Sequence, residues 1–275
     1  MISTIILNYN RPAYLKNTVL PKLLSLNKVD EIIISHGKEK TFFEYNHKKI
    51  VHKKDWDINT KHGLSLRFTN AVNSKNDIIL IIDDDIYTNN YTIDYLYNKL
   101  LENPKTIHGI YGRNLTKDNK YSTDLYIGEC DIVLTRLLLC KKEICENFLK
   151  YKDEFEREYL IKNSKPFWNG EDIILNLLNY YINNQKSYSY DLPHTNRLHI
   201  FDIGNAISLD KSHLEYRSKL CNFFKNKFKT FEKKNKSKKK INFIYEIKNS
   251  NYYIYIIFLF FLICFFKLGS LTLSF

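Results

Sequence analysis

The sequence has 275 residues, of which 44% are hydrophobic and 15% aromatic, so it can form one large domain or two small ones with a packed core, and a disordered chain is excluded. The formal net charge is +12, but the segment from Lys225 to Lys240 contains nine lysines and one glutamate, a net of +8, which leaves +4 on the other residues. Because no nucleic-acid-binding motif accompanies these lysines, a specific nucleic-acid partner is not expected.

The cysteines indicate neither a zinc module nor a disulfide scaffold, because their number is odd and they lack paired metal-ligand spacing. They are Cys130, Cys140, Cys145, Cys221 and Cys264. The first residues resemble a strand without a basic leader, so no signal peptide is expected.

The first 85 residues alternate between strand and helix patterns. Strands are predicted over residues 2–9 and 31–35, around 50–51 and over 78–82, with helices over 13–26 and 64–73. This rhythm is typical of a parallel sheet with right-handed crossovers.

Three consecutive acids follow the predicted strand at 78–82, which is continuously apolar and therefore expected to be buried on both faces. They are Asp83, Asp84 and Asp85. In open α/β sheets, ligands bind beyond the carboxyl ends of the strands. Three adjacent carboxylates repel one another, and a divalent ion such as Mn²⁺ or Mg²⁺ would compensate for this repulsion. An acidic turn or helix N-cap region is the alternative interpretation.

The middle of the chain is predicted to be mixed. A helix is expected over 90–102, strands over 107–112, 121–127 and 131–135, and helices over 141–161 and 171–184. Asn169 can cap the helix at 171–184, and Ile173, Ile174, Leu177, Leu178 and Tyr181 form its apolar face. Glu171 and Asp172 then fall in its first turn, where they could simply complement the helix dipole.

The end of the chain combines a lysine-rich segment with an apolar one. Residues 252–266 form an unbroken apolar and aromatic run, and the residues up to 275 can supply the remaining length of a membrane-spanning helix. The lysines would face the cytoplasm. We therefore expect a domain over 1–230, a linker over 231–249 and a membrane anchor over 250–275, with the domain in the cytosol. The sequons at Asn90, Asn114 and Asn235 provide a test of this topology.

Six short segments, taken in order, resemble the exostosin-like glycosyltransferases of family 64. They are NYNRP (8–12), LRF (66–68), LIIDDDI (80–86), GIYGR (109–113), NGEDIILNLL (169–178) and HLEYRSKLCNFF (213–224). The resemblance implies a GT-A fold, with a mixed, mostly parallel sheet flanked by helices. It also implies transfer of a sugar from a UDP-sugar, usually a UDP-N-acetylhexosamine, to a glycan or glycoconjugate acceptor, with retention of configuration and with Mn²⁺.

The resemblance also suggests roles for individual residues. Asp85 would bind the metal directly, and Asp83 would contribute to the metal site or face the ribose or sugar, with Asp84 between them. Arg11 and Arg67 would contact the nucleotide, for which bidentate guanidinium groups are well suited.

The remaining roles lie in the last two segments. Asp172 would lie beside the anomeric carbon as nucleophile or electrostatic stabiliser, with Glu171 next to it, and Arg217 would approach the diphosphate. His213, Arg217 and Cys221 would share one helix face.

Departures from the family leave other functions open. Gly170 replaces a cysteine that is disulfide-bonded in lumenal relatives, and the loop at 35–40 lacks the asparagines that often follow the second strand. A non-catalytic, membrane-tethered binder of nucleotide sugars is one alternative. A haloacid-dehalogenase-like phosphatase is the other, although Tyr87 stands where that class has Thr or Val.

Overall fold

The computed structural model describes residues 1–163, 170–196 and 212–228. Residue contacts divide the chain into two units, 1–225 and 226–275. The second unit is described over residues 226–228 alone, and every strand within the described ranges belongs to the first unit. Asn169, the expected helix cap, lies outside the described residues.

The strands are β1 Ile2–Asn8, β2 Val29–His36, β3 Ile50–Lys54, β4 Ile78–Ile82, β5 Ile86–Thr88, β6 His108–Gly109, β7 Gly112–Arg113, β8 Gly128–Cys130, β9 Ile132–Val133, β10 Leu137–Lys141, β11 Ser187–Ser189 and β12 His194–Asn196. Eight of them form a mixed sheet at the centre of the first unit, in the order β3-β2-β1-β4-β10-β6-β11-β8. Strands β3, β2, β1 and β4 are mutually parallel, β10 is antiparallel to both of its neighbours, and β11 pairs parallel with β6 and antiparallel with β8. Six strands therefore run in one direction, which confirms the predicted mixed and mostly parallel sheet. Two small pairs, β5 with β12 and β7 with β9, lie outside it.

Helices connect the strands and cover the sheet. They are α1 Pro12–Tyr14, α2 Leu20–Leu24, α3 Trp56–His62, α4 Leu66–Val72, α5 Asn90–Glu102, α6 Lys142–Asn163, α7 Glu171–Asn183 and α8, residues 213–228. The single helix predicted over 13–26 is interrupted by a π-helical segment, Leu15–Val19. Pro21 lacks the N–H that would continue the ordinary pattern of helical hydrogen bonds, which accounts for the change at this point.

The core lies on both faces of the sheet because β4 is buried along its whole length. Its even-numbered residues, Ile78, Leu80 and Ile82, belong to the cluster that includes apolar residues of α2 and α5. On the other face, α4 packs against β1 and α6, where the Phe68 and Phe148 ring centroids are 4.3 Å apart. The continuous apolar run therefore reflects two covered faces, as predicted.

In the middle of the chain one predicted strand is wrong, and one strand was not predicted. Residues 121–127 form no strand and make only isolated bridges at Tyr121 and Tyr126. The strand β10 was not predicted, although it lies between β4 and β6. Its leucines pair with Ile82 and Gly109, and these partners are distant in sequence.

Candidate functional site

The three consecutive acids form the turn that leaves β4 at its carboxyl end. The backbone N–H of Asp83 donates to the carbonyl of Arg136 at 3.0 Å, and that of Ile86 donates to the carbonyl of Asp83 at 3.3 Å. Asp84 and Asp85 are each only 5% exposed. The turn therefore buries two carboxylates at the predicted edge of the sheet.

Arginines surround this acidic turn. Arg11 Nη1 lies 2.8 Å from Asp84 Oδ1 and 3.6 Å from Asp85 Oδ2. Arg67 Nη1 lies 3.3 Å from Asp83 Oδ1, and Arg136 Nε lies 3.9 Å from Asp83 Oδ2. A divalent ion was expected to offset the repulsion among the three carboxylates. In the structure, three guanidinium groups already offset part of it.

Burial perturbs the acids in spite of these contacts. Burial raises the pKa of Asp84 to about 6, with Arg11 acting in the opposite direction. Burial also raises the pKa of Asp85, and the neighbouring charge of Asp83 adds to the effect. A charge-neutralising partner for the turn would therefore be favourable.

A second acidic cluster lies at the start of α7. Asp172 Oδ2 accepts from Arg217 Nη2 of α8 at 2.7 Å, and both side chains are 5% exposed. The other oxygen, Oδ1, accepts from the Ile173 backbone N–H at 2.8 Å. Asp172 and Arg217, 45 positions apart in sequence, thus form a buried ion pair with a fixed carboxylate.

Arg217 is itself held from a second side. Its guanidinium carbon lies 4.3 Å from the centre of the Tyr121 ring, and Ser218 Oγ accepts from the Tyr121 backbone N–H at 3.2 Å. Burial acts to lower the pKa of Arg217, but Asp172 and Tyr121 outweigh it and raise that pKa. Arg217 is therefore permanently charged.

Glu171 links the two clusters. Its Oε1 accepts from Thr135 Oγ1 at 2.9 Å and lies 4.0 Å from Arg67 Nε. Its Oε2 accepts from the Gly170 N–H at 3.1 Å. Burial, followed by the charge of Asp172, raises the pKa of Glu171. Since Arg67 also contacts Asp83, the predicted residues of both clusters form one continuous polar site.

Several polar atoms in this site are buried without a hydrogen-bond partner. They are Asp85 Oδ1, the Tyr111 hydroxyl, Arg113 Nε and Arg217 Nε. The charge of Arg113 acts to lower the pKa of Tyr111 and that of Tyr121, although burial raises both. Unpaired buried polar atoms are rare in folded proteins, so these four atoms are candidates for contacts to a bound group.

Sequence reasoning missed three residues of the site, namely Tyr111, Arg113 and Arg136. Arg136 stacks over the Tyr111 ring with its guanidinium carbon 4.5 Å from the ring centre. The GIYGR segment contains Tyr111 and Arg113 and was a usable signal, because it also contributed to the family resemblance. Arg136 directly precedes β10, a strand that was not predicted, and no local pattern distinguishes it.

The acidic turn fits a divalent metal that takes part of its ligands from elsewhere. In residues 1–163, 170–196 and 212–228, no group of three or more His, Cys, Asp or Glu side chains converges as a self-sufficient metal site. The unpaired Oδ1 of Asp85 is one available carboxylate ligand. Mg²⁺ and Mn²⁺ accept one or two carboxylates, with waters and substrate phosphates completing the shell. Asp85 thus fits a metal that is held together with a phosphorylated substrate.

Comparison with known proteins identifies the family. A model of the glycosyl transferase family 64 domain matches residues 2–244. The chain belongs to this family. The six segments that carry the sequence resemblance all lie within the matched part of this family 64 chain.

The family 64 chain was also compared with individual proteins. No curated protein matches it. Among solved structures, it is similar to the crystal structure of GalNAc-T7 with UDP, GalNAc and Mn²⁺, with 10% sequence identity and a TM-score of 0.47. The similarity covers 69% of this chain and 41% of that one, so the family 64 chain spans less than half of GalNAc-T7 as crystallised.

The predicted membrane anchor cannot be compared with the structure, because residues 250–275 lie outside the described residues. The same is true of the linker at 231–249. Within the part of the chain that is described, no helix has both the length and the apolar character required to cross a bilayer.

Proposed function

We propose that this family 64 protein transfers a sugar from a UDP-sugar to a glycan or glycoconjugate acceptor, with N-acetylhexosamine as the expected sugar and retention of configuration. One observation carries the proposal: Arg67 contacts both Asp83 and Glu171. The acidic turn after β4 and the Asp172–Arg217 pair are therefore adjacent. One cluster can bind the diphosphate while the other lies beside the sugar.

The acidic turn is the proposed diphosphate site. Asp85 would hold Mn²⁺, or Mg²⁺ in its place, with Asp83 as a further ligand or as a contact to the ribose or sugar. When bound, the ion neutralises negative charge that develops on the leaving diphosphate. Arg11, Asp84 and Arg67 orient the nucleotide around it. Arg11 contacts two of the acids, so substrate binding would redistribute these ion pairs.

Asp172 is the proposed sugar side of the site, and Arg217, which pairs with it, approaches the diphosphate. Both oxygens of Asp172 already accept a hydrogen bond, from Arg217 and from the backbone of Ile173. This arrangement favours an electrostatic role over attack on the anomeric carbon, because a nucleophile would have to give up part of that hydrogen bonding. Glu171 supports Arg67 and the start of α7. Arg217 Nε has no hydrogen-bond partner and is the proposed donor to the diphosphate.

The wider organisation is proposed from the sequence. The GT-A fold and an exostosin-like, DxD-dependent site agree with the sheet order and with the acids that follow β4. A transferase domain over 1–230 would be joined through 231–249 to a membrane anchor at 250–275, with the domain on the cytosolic side. The lysines and the apolar run support this topology.

The test of the function combines turnover and binding. The full-length chain is incubated with a panel of UDP-sugars, with and without Mn²⁺, and release of UDP is measured. We expect metal-dependent release from at least one donor, with loss in Asp85→Asn and in Asp172→Asn. Asp94→Asn is the matched control, because Asp94, on α5, forms a partly exposed ion pair with Lys28 and its loss should not alter release.

Calorimetry of Mn²⁺ with and without UDP provides a separate measurement. Because Asp85 offers a single unpaired carboxylate oxygen, we expect Mn²⁺ to bind far more tightly when UDP is present. Binding of UDP without release from any donor would instead favour the non-catalytic binder. Hydrolysis of a phosphomonoester with Mg²⁺ would favour the phosphatase. Equal turnover of the Asp85→Asn variant and the unmodified chain would contradict the proposed role of the acidic turn.

A further inference from the structure

A cavity of about 390 Å³ lies away from the acidic clusters, between the last turn of α5 and the strands β8 and β11. Its volume falls within the range of small-molecule sites, about 300–1,000 Å³. Three tyrosines, Tyr95, Tyr188 and Tyr190, form its aromatic wall. The site proposed for transfer uses none of these residues.

The strand register gives the separation from the acidic turn. His108, in the cavity wall, is level with Leu139 and hence with Leu80, three residues before Asp83. Strand β11 lies three positions along the sheet from β4. With strands about 4.8 Å apart and about 3.3 Å per residue, the separation is roughly 15 Å or more.

The aromatic wall is held rigidly. The Tyr190 and Tyr95 rings meet edge to face with centroids 5.2 Å apart, and the Tyr188 and Tyr190 centroids are 4.7 Å apart. The Tyr190 hydroxyl lies 3.0 Å from His108 Nδ1, while His108 Nε2 lies 3.2 Å from the Asn103 carbonyl oxygen. Because Nε2 must donate to that carbonyl, Nδ1 accepts from the tyrosine when the imidazole is neutral. Burial lowers the pKa of His108, which keeps it neutral at pH 7.

The side chains that line the cavity carry equal numbers of positive and negative charges. Lys99 and Lys186 are offset by Glu102 and Glu129. Lys99 Nζ lies 2.7 Å from Glu102 Oε2, and Lys186 also contacts Asp131 at 3.4 Å. A net neutral lining gives no selective attraction for a phosphate, a nucleotide or a cation. The same groups, with Gln185 beside them, offer both donors and acceptors at the rim of the cavity.

We infer that this cavity binds a neutral sugar unit of the acceptor glycan, at a distance from the reacting centre. A pyranose has C–H faces that pack on tyrosine rings and hydroxyl edges that need both donors and acceptors, and this combination matches the wall and the rim. The inference rests on the proposed function for the identity of the glycan as an acceptor. Binding of the sugar itself does not depend on turnover.

The test uses the full-length chain without Mn²⁺ and four neutral tetrasaccharides, built respectively from glucose, galactose, mannose and N-acetylglucosamine units. Saturation-transfer-difference NMR reports which of them bind, and titration gives the affinity. We expect at least one to bind, and Tyr188→Ala to weaken it by about fivefold or more through loss of the ring. The Tyr188 side chain points away from the buried face of β11 and is 39% exposed, so its truncation spares the core.

Two further variants make the result specific to the cavity. Tyr188→Phe keeps the ring and should retain most of the affinity. Tyr91→Ala removes a tyrosine that is 63% exposed in the first turn of α5 and should leave affinity unchanged. The inference is overturned if none of the four sugars binds, or if Tyr188→Ala binds as the unmodified chain does. UDP should not compete with the sugar, and UDP binding measured on the same protein separates failure of this cavity from failure of the transfer site.

Discussion

Replacing Arg217 with glutamine tests whether the Asp172–Arg217 pair is a buried ion pair that the fold depends on. The two side chains are each 5% exposed, with 2.7 Å between Nη2 and Oδ2. Removing one member of a buried pair leaves the other charge without its counter-ion, which costs about 3–5 kcal/mol. The Ile173 N–H still donates to Asp172, so the expected loss lies toward the lower end of this range.

Chemical unfolding followed by circular dichroism measures this loss as a change in the free energy of unfolding. A loss of about 3–5 kcal/mol corresponds to a fall in Tm of roughly 6–20 °C for a domain of this size. The matched control is Lys219→Gln on the same helix. Lys219 Nζ lies 2.7 Å from Glu215 Oε1, but both side chains are more than half exposed, so its loss should cost less than about 1 kcal/mol.

The double variant Asp172→Asn with Arg217→Gln decides the cause. It leaves no buried carboxylate at position 172, so it should be more stable than Arg217→Gln alone. If Arg217→Gln costs no more than Lys219→Gln, or if the double variant is no more stable than the single one, the reasoning from buried charge is refuted.

Three further outcomes are expected. Gly170 has φ of +154°, and a Cβ added there would meet the Leu220 side chain, whereas Gly128 has φ of +113° and the nearest contact of an added Cβ is at 3.6 Å. Urea unfolding should therefore show that Gly170→Ala is less stable than Gly128→Ala by about 1–3 kcal/mol. Equal losses of stability in the two variants would argue against the overlap with Leu220. Burial, followed by the charge of the neighbouring histidine, lowers the pKa of His36 to about 4 from 6.5. The free energy of unfolding is therefore unaffected by protonation of His36 above pH 6.5 and falls by up to about 3 kcal/mol as the pH falls toward 4, because the unfolded chain binds the proton first. Between pH 4 and 7, the free energy of unfolding of His36→Gln should depend less on pH than that of the unmodified chain. The same pH dependence in both proteins would contradict this. Arg113→Ala should lower kcat/KM for the donor identified in the UDP-sugar screen by about tenfold or more, because a charged hydrogen bond to the substrate is lost. Its Tm should stay near that of the unmodified chain. An unaltered kcat/KM would show that Arg113 does not belong to the site.

The acidic turn shows how far local sequence can lead. The unbroken apolar run at 78–82 predicted a strand covered on both faces, and the acids that follow it were placed at the carboxyl edge of the sheet. Both expectations are confirmed by burial of the whole of β4 and by the turn that begins at Asp83. A run of five apolar residues has few other folded environments, so this inference did not need tertiary information.

The surroundings of that turn were beyond local reasoning. Arg136 lies directly after Thr135, and its approach to Asp83 depends on β10 pairing antiparallel with β4. The segment Leu137–Lys141 leads straight into α6, so its sequence contained no sign of a strand boundary. The partial neutralisation of the acids by arginines could not be foreseen for the same reason.

Sequence alone determined the parallel sheet of the first 85 residues, the position of the acids and the family resemblance, because these depend on residues close together in the chain. Tertiary structure decided that Glu171 shares Arg67 with the acidic turn and that Arg217 pairs with Asp172. It also decided that Tyr111 and Arg113 lie among them with unpaired atoms. The two ion pairs join residues 45 and 104 positions apart, and tertiary packing rather than any local pattern brings their side chains to 2.7 Å and 4.0 Å.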